Sequence, residues 1–180
     1  IKSPNEIFLT FNNGKMSGHA IGVSMEGIRS LHLEVQALVS TAVYGTPQRS
    51  SNGFNSKKLN MLLAVLEKRA GIQLSDKDIF LNITGGIKSE DPSLDLAVVS
   101  AILSSYHDSP ISEKICFASE IGLSGELRPV LRLDKRISEA EKLGYKVFIT
   151  SNFNKEITRK NGIKILGFEK IGSLITYLFK

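Results

Sequence analysis

Leu31-His32-Leu33-Glu34-Val35-Gln36-Ala37-Leu38-Val39 decides how this chain is read. Leu31, Leu33, Val35 and Ala37 fall on one face, His32, Glu34 and Gln36 on the other. A period of two is that of a strand with one buried side, predicted here over Leu31–Val43. Upstream, His19–Met25 reads as a first strand and Glu26-Gly27 as the turn between the two.

Downstream, Gly45-Thr46-Pro47-Gln48-Arg49-Ser50-Ser51-Asn52-Gly53 is a loop by composition. Leu59, Leu62, Leu63 and Leu66 repeat at helical spacing, so Ser56–Ala70 is predicted as a helix that Gly71 ends. Asp78–Ile83 reads as a strand closed by Gly85-Gly86. Ser93–Tyr106 is apolar on nearly every face, the pattern of a buried central helix. Strands follow at Lys114–Ile121 and Glu126–Val130, joined by a turn at Gly122–Gly125. A helix at Leu133–Leu143 stops at Gly144. Tyr145–Thr150 and Ile163–Leu166 read as strands, followed by helices at Asn154–Lys160 and Ile171–Phe179. Hairpins mixed with crossover helices predict an α/β (α+β) fold, a mixed sheet with packed helices.

At 180 residues the chain suits one domain with a substantial core. Residues 1–18 are expected to be a linker or edge segment and 19–180 the domain. The opening Ile1 and the Pro4-Asn5-Glu6 stretch read as the tail of a linker in something longer. No apolar run reaches the roughly 20 residues that span a bilayer, and no basic-then-apolar leader is present. The single Cys116 excludes an intrachain disulfide and a cysteine-based zinc site, and its apolar neighbours predict a buried thiol. A cytoplasmic location is the expectation. The net charge of +5, with a pI of about 9.3, is a modest attraction for phosphate backbones.

Several strings carry more than their period. Met25-Glu26-Gly27-Ile28-Arg29, Leu62-Leu63-Ala64-Val65-Leu66-Glu67-Lys68-Arg69, Asn82-Ile83-Thr84-Gly85-Gly86-Ile87 and Gly122-Leu123-Ser124-Gly125-Glu126-Leu127-Arg128-Pro129-Val130 stand in this order. Together they resemble the C-terminal domain of the bacterial RadA (Sms) DNA repair family, from about residue 20 to 150. Ser119, where that pattern has glycine, is a departure. The resemblance implies a fold like the proteolytic domain of Lon proteases, of the ribosomal protein S5 domain 2-like class. It further implies a RecA-type ATPase acting on branched DNA in recombination, with a zinc finger and a nucleotide-binding core preceding this module. ATP, magnesium and zinc are then expected in those other parts and no cofactor in this one. Gly14-Lys15 lacks the glycine loop that cradles phosphates. The implied partners are single-stranded or branched DNA, other copies of the chain in a hexameric ring, and a recombinase, with no membrane.

Lon proteases pair a serine nucleophile with a lysine base that must lose its proton. By the resemblance, Ser93 in Asp91-Pro92-Ser93-Leu94-Asp95 occupies the nucleophile position. Counting from Gly125 through Pro129 puts the lysine position on Asp134; Lys135, one residue later, is turned by about 100°. Without a base the serine stays a weak nucleophile, so no catalytic residue is expected, and Ser93 is expected to cap the following helix. An active Lon-like serine peptidase is the alternative. The histidines His19, His32 and His107 are scattered and predict no metal site. Asp91 and Asp95 read as solvated or capping carboxylates, and Glu90 as a surface one.

Three basic groups are DNA-binding candidates. Arg49 lies in the Gly45–Gly53 loop, upstream of Lys57 and Lys58. Arg128, Arg132 and Arg136 form the second group, Arg132 and Arg136 being spaced to share a helix face. Lys88, after Gly85-Gly86, is the third. Each can equally be a solvated or ion-paired surface cation, and Lys68-Arg69 can complement a helix dipole. A pure oligomerisation scaffold without DNA contact is the competing use of these surfaces.

Overall fold

A computed structural model describes residues 16–154 and 162–180. The strands β1 (His19–Glu26), β2 (Arg29–Thr41), β3 (Arg49–Asn52), β4 (Lys77–Ile83), β5 (Ile115–Ala118), β8 (Val147–Ser151) and β9 (Lys164–Phe168) form one sheet, in the order β3-β4-β2-β1-β5-β8-β9. β6 (Glu120–Ile121) and β7 (Leu127–Arg128) pair separately. The hairpin of β1 with β2 and the pairing of β2 with β4 are antiparallel; the other pairings in the large sheet are parallel.

Among the described residues the helices are α1 (Ser56–Ala70), α2 (Asp95–His107), α3 (Leu133–Lys142) and α4 (Ile171–Phe179). The alternation in β2 holds only for one face: Leu33 and Val35 are fully buried in the core that holds Leu59, Leu63 and Leu66 of α1, most of α2, and Leu174 and Ile175 of α4. His32 and Glu34 on the other face are buried too, which corrects the expectation of a single buried side. The opposite face of β1, β5 and β8 buries Val23, Cys116, Ala118 and Phe148 against Leu133, Ile137 and Ala140 of α3. The sheet thus has α1, α2 and α4 on one side and α3 on the other.

Local chemistry sets the ends of α1. Asn55 accepts the Lys58 N–H at 3.0 Å, and Gly71, at φ 67°, supplies the left-handed C-cap. Helix α2 and the turn before it approach β1 closely because Gly22 has no side chain; a Cβ there would run into Leu94 Cδ1 and lie 3.0 Å from Ala97 Cβ.

Two expectations change. The Gly45–Gly53 segment is not loop throughout: Arg49–Asn52 form β3, an edge strand parallel to β4. The strand predicted over Lys114–Ile121 breaks at Ser119, whose N–H donates to Ser93 O (2.9 Å) and whose carbonyl accepts the Leu96 N–H (3.1 Å). Its backbone bonds go to the start of α2 instead of a neighbouring strand. Residues 1–15 of the predicted linker and residues 155–160 of the predicted Asn154–Lys160 helix lie outside the described residues.

Candidate functional site

The polar centre of the domain is built on Asp91-Pro92-Ser93. Asp91 is extended (φ −68°, ψ 117°) and accepts the Ser93 N–H at 3.0 Å, so it caps the short 3-10 turn Pro92–Leu94 that runs into α2. Pro92 sits where a missing N–H costs nothing. This corrects the capping role expected of Ser93. Its hydroxyl is buried and donates to Val23 O at 3.2 Å.

The side chain facing Ser93 is Arg136, from α3. Its Nη1 lies 2.6 Å from Ser93 Oγ, 2.7 Å from Val23 O and 2.8 Å from Asp91 Oδ2, and its Nε donates to Leu131 O at 2.9 Å. The Met25 N–H completes the cluster by donating to Asp91 Oδ2 at 2.7 Å. Burial alone would raise the Asp91 carboxyl. The hydrogen bonds from Arg136 and Met25, the guanidinium charge and the Ser93 N–H together outweigh it and hold the group below its ordinary value.

Several site residues move relative to expectation. Asp134, placed by counting at the lysine position, is exposed at the start of α3, and Arg136 two residues on occupies the space beside Ser93. Arg132 is not on the same helix face as Arg136: it precedes α3 with φ 57°, stays exposed, and donates to Gly27 O at 3.1 Å. Arg136 itself is 2% exposed, so it presents no guanidinium face for a phosphate backbone. Its charge is held inward by the Asp91 carboxylate.

Lys58 is half-buried, its Nζ 3.1 Å from Asp95 Oδ2 and 4.0 Å from Glu120 Oε1. Lys57, Lys88 and Arg128 are exposed, Arg128 lying 3.7 Å from Glu126 Oε1. Arg49 leaves the expected loop for β3, where its guanidinium donates to Leu74 O at 2.8 Å. The Asp91-Pro92 knuckle separates two cavities. Lys58, Lys88 and Asp95 line one, of about 640 Å³. Arg132, Arg136, Ser93 and Glu120 line the other, of about 440 Å³. Lys58, Lys88 and Arg132 thus line two cavities that share Asp91 and Pro92, while Arg49 and Arg128 line neither.

Asp95 opens α2 and is 1% exposed. Burial pushes its carboxyl up to about 6, although the Ile121 N–H and Lys58 pull the other way. Between pH 3.8 and about 6 the folded chain holds a proton that the unfolded chain has lost, so ionisation of Asp95 opposes folding above that window. Asp95→Asn removes this cost. The variant is expected to be more stable than wild type by about 1–2 kcal/mol at pH 8, with the gain gone by pH 4. Urea melts at the two pH values check it.

Sequence reasoning missed the Asp91–Arg136 pair, which joins positions far apart in the chain. The available signal was local: Asp-Pro-Ser before an apolar helix is itself a capping pattern. The described residues include no group of three or more His, Cys, Asp and Glu side chains placed to hold a metal. Among them no helix is long and apolar enough to cross a membrane.

Fold and site define an α/β domain whose polar centre is a closed Ser93–Arg136–Asp91 cluster. A protein-family model described as "Subunit ChlI of Mg-chelatase" matches residues 35–154, and the chain belongs to that family. It is also 39% identical to the DNA repair protein RadA of Bacillus subtilis (strain 168), over 97% of this chain and 38% of that protein. Against the RadA of Streptococcus pneumoniae (strain ATCC BAA-255 / R6) it is 39% identical over 99% of this chain and 43% of the relative. The RadA of Listeria monocytogenes gives 39% over 97% and 38%. The expected relationship to RadA is borne out, and the chain spans about two fifths of the length of these relatives.

Proposed function

We propose that this chain is a non-proteolytic, Lon-like domain of a RadA-type DNA repair ATPase, serving ring assembly and contributing a basic surface to DNA binding in the cytoplasm. One observation carries the non-proteolytic part: the group against Ser93 Oγ is a guanidinium at 2.6 Å. A guanidinium keeps its proton at any working pH, so it donates to the hydroxyl and takes nothing from it. The serine proton is directed at Val23 O, which is no base. A lysine in the same place could act as base only when desolvated and neutral.

The kinship with RadA over nearly the whole chain supports a role in DNA repair, including the processing of branched DNA in recombination. Lys88 and Arg132, exposed on either side of Pro92, support the DNA contact. ATP, magnesium and zinc belong, on this reading, to the parts of the relatives that this chain does not match. A hexameric ring and a partner recombinase are part of the same proposal.

A peptidase assay tests the first part. Wild-type chain and Ser93→Ala are incubated with unstructured casein and fluorogenic peptides, and both are expected to leave them uncut. Cleavage by wild type that disappears in Ser93→Ala would overturn the reading in favour of an active serine peptidase.

A further inference from the structure

The larger cavity beside the Asp91-Pro92 knuckle, of about 640 Å³, is of the size that takes a small ligand. Asp95 lines it, although the residue is only 1% exposed. Its two carboxylate oxygens are unequally served. Oδ2 accepts the Ile121 N–H at 3.1 Å and lies 3.1 Å from Lys58 Nζ. Oδ1 is buried, and among the described residues nothing donates to it. Buried carboxylate oxygens are ordinarily hydrogen-bonded, because a bare one gives up its hydration for nothing. An acceptor of this kind in a cavity wall calls for a donor from outside the chain.

The rest of the lining says what carries that donor. Lys58 already stands beside Asp95, so a second cation there, an ammonium or a guanidinium, would meet like charge. A neutral amino group would not. Phe54 and Pro92 offer apolar contact, and Asn52 and Asn55 carry side-chain amides. Lys88 is exposed and has no ion pair among the described residues. Of the other acids in the lining, Asp91 is paired with Arg136 and Glu90 is exposed to water. A neutral amino donor on a partly apolar body, with negative charge beyond it, is the chemistry of a nucleotide whose base bears an exocyclic amine.

We propose that this cavity receives one unstacked DNA base with an exocyclic amino group, Asp95 Oδ1 accepting the amino hydrogen while Lys88 meets a phosphate. Cytosine presents such a donor at N4, where thymine presents the O4 acceptor, and thymine would set two acceptors against each other. Oδ1 is screened from water, so the base enters as the flexible Lys58 stem, 28% exposed, shifts aside. The inference rests on the DNA contact proposed above and adds base selectivity to it.

The test is an anisotropy titration of the 180-residue chain at pH 8, where the Asp95 carboxyl is ionised, with labelled oligodeoxycytidylate and oligothymidylate of equal length. Wild type is expected to bind the cytosine oligomer about fivefold or more tightly, with the same salt dependence for both. Asp95→Asn reads the contact directly. The Ile121 and Lys58 donors hold its amide oxygen in the Oδ2 place, which leaves the NH2 where Oδ1 stood. The variant, expected above to gain stability at pH 8, should lose the cytosine preference and bind oligothymidylate at least as well. Equal affinities in wild type, or a cytosine preference that survives Asp95→Asn, overturn the inference and leave the DNA contact standing. Absence of binding by either oligomer at low salt overturns both.

Discussion

Arg136→Ala is expected to lower the stability of the domain by about 3–5 kcal/mol, a fall in Tm on the order of 10 °C for a chain of this size. The side chain makes hydrogen bonds to Val23 O, Leu131 O, Ser93 Oγ and the Asp91 carboxylate, and all four lose this one donor group together, Val23 O keeping the Ser93 hydroxyl. Truncation strips a half-buried carboxylate of its countercharge and leaves a cavity, the costly way to break a buried pair. Asp91 keeps only the Met25 and Ser93 N–H groups. Arg136→Lys should fall between: an ammonium can reach some of these acceptors but cannot bond Leu131 O and Asp91 as a planar fork does. Thermal and urea melts of the three proteins check the order. A loss below about 1 kcal/mol in the alanine variant would mean that the cluster is ornamental to the fold.

The second large effect is on acid stability and centres on His32. Its ring lies on β2, fully buried and stacked on Tyr145 with centroids 4.9 Å apart. Burial lowers its pKa from 6.5 to about 3. As pH falls below 6.5 the unfolded chain takes a proton that the folded chain refuses, so stability drops by up to about 1.4 kcal/mol per pH unit until about pH 3. His32→Phe keeps a stacking ring and removes the titration. The variant is expected to match wild type within about 1 kcal/mol at pH 8 and to exceed it by about 2–3 kcal/mol at pH 4.5. Asp95→Asn has the opposite signature, gaining at pH 8 and not at pH 4, because its carboxyl is shifted upward. Equal pH profiles for wild type and His32→Phe would show that the imidazole titrates freely in the fold.

Much of the fold was legible because local rules decided it. The leucine spacing of Ser56–Ala70, with Gly71 after it, gave the observed helix to the residue. Ile171–Phe179 did the same. The alternation of β2 put Leu33 and Val35 in the core, but it gave no sign that His32 and Glu34 on the other face are buried as well. β3 was not legible: Arg49-Ser50-Ser51-Asn52 has no apolar period and is a strand only because β4 offers a parallel partner. The site failed for a related reason. Counting residues from a motif located the lysine position at Asp134, but it could not tell which side chain of α3 points inward. Arg132 adopts φ 57° and starts the helix at Leu133, and the turn that follows aims Arg136 at Ser93. Which of several arginines is the buried one depends on Asp91, a partner that no local pattern near Arg136 announces.

On the proposed function this domain contacts DNA and does not cleave peptides. The direct measurement is a fluorescence anisotropy titration of the 180-residue chain with labelled single-stranded and forked DNA across a range of salt, beside Lys88→Glu/Arg132→Glu. The account predicts saturable binding by wild type that weakens steeply with salt, and a shallower, weaker isotherm for the doubly reversed variant with its melting temperature kept. Absence of binding at low salt, or affinity unchanged by the two reversals, would contradict it and leave the domain as an assembly scaffold.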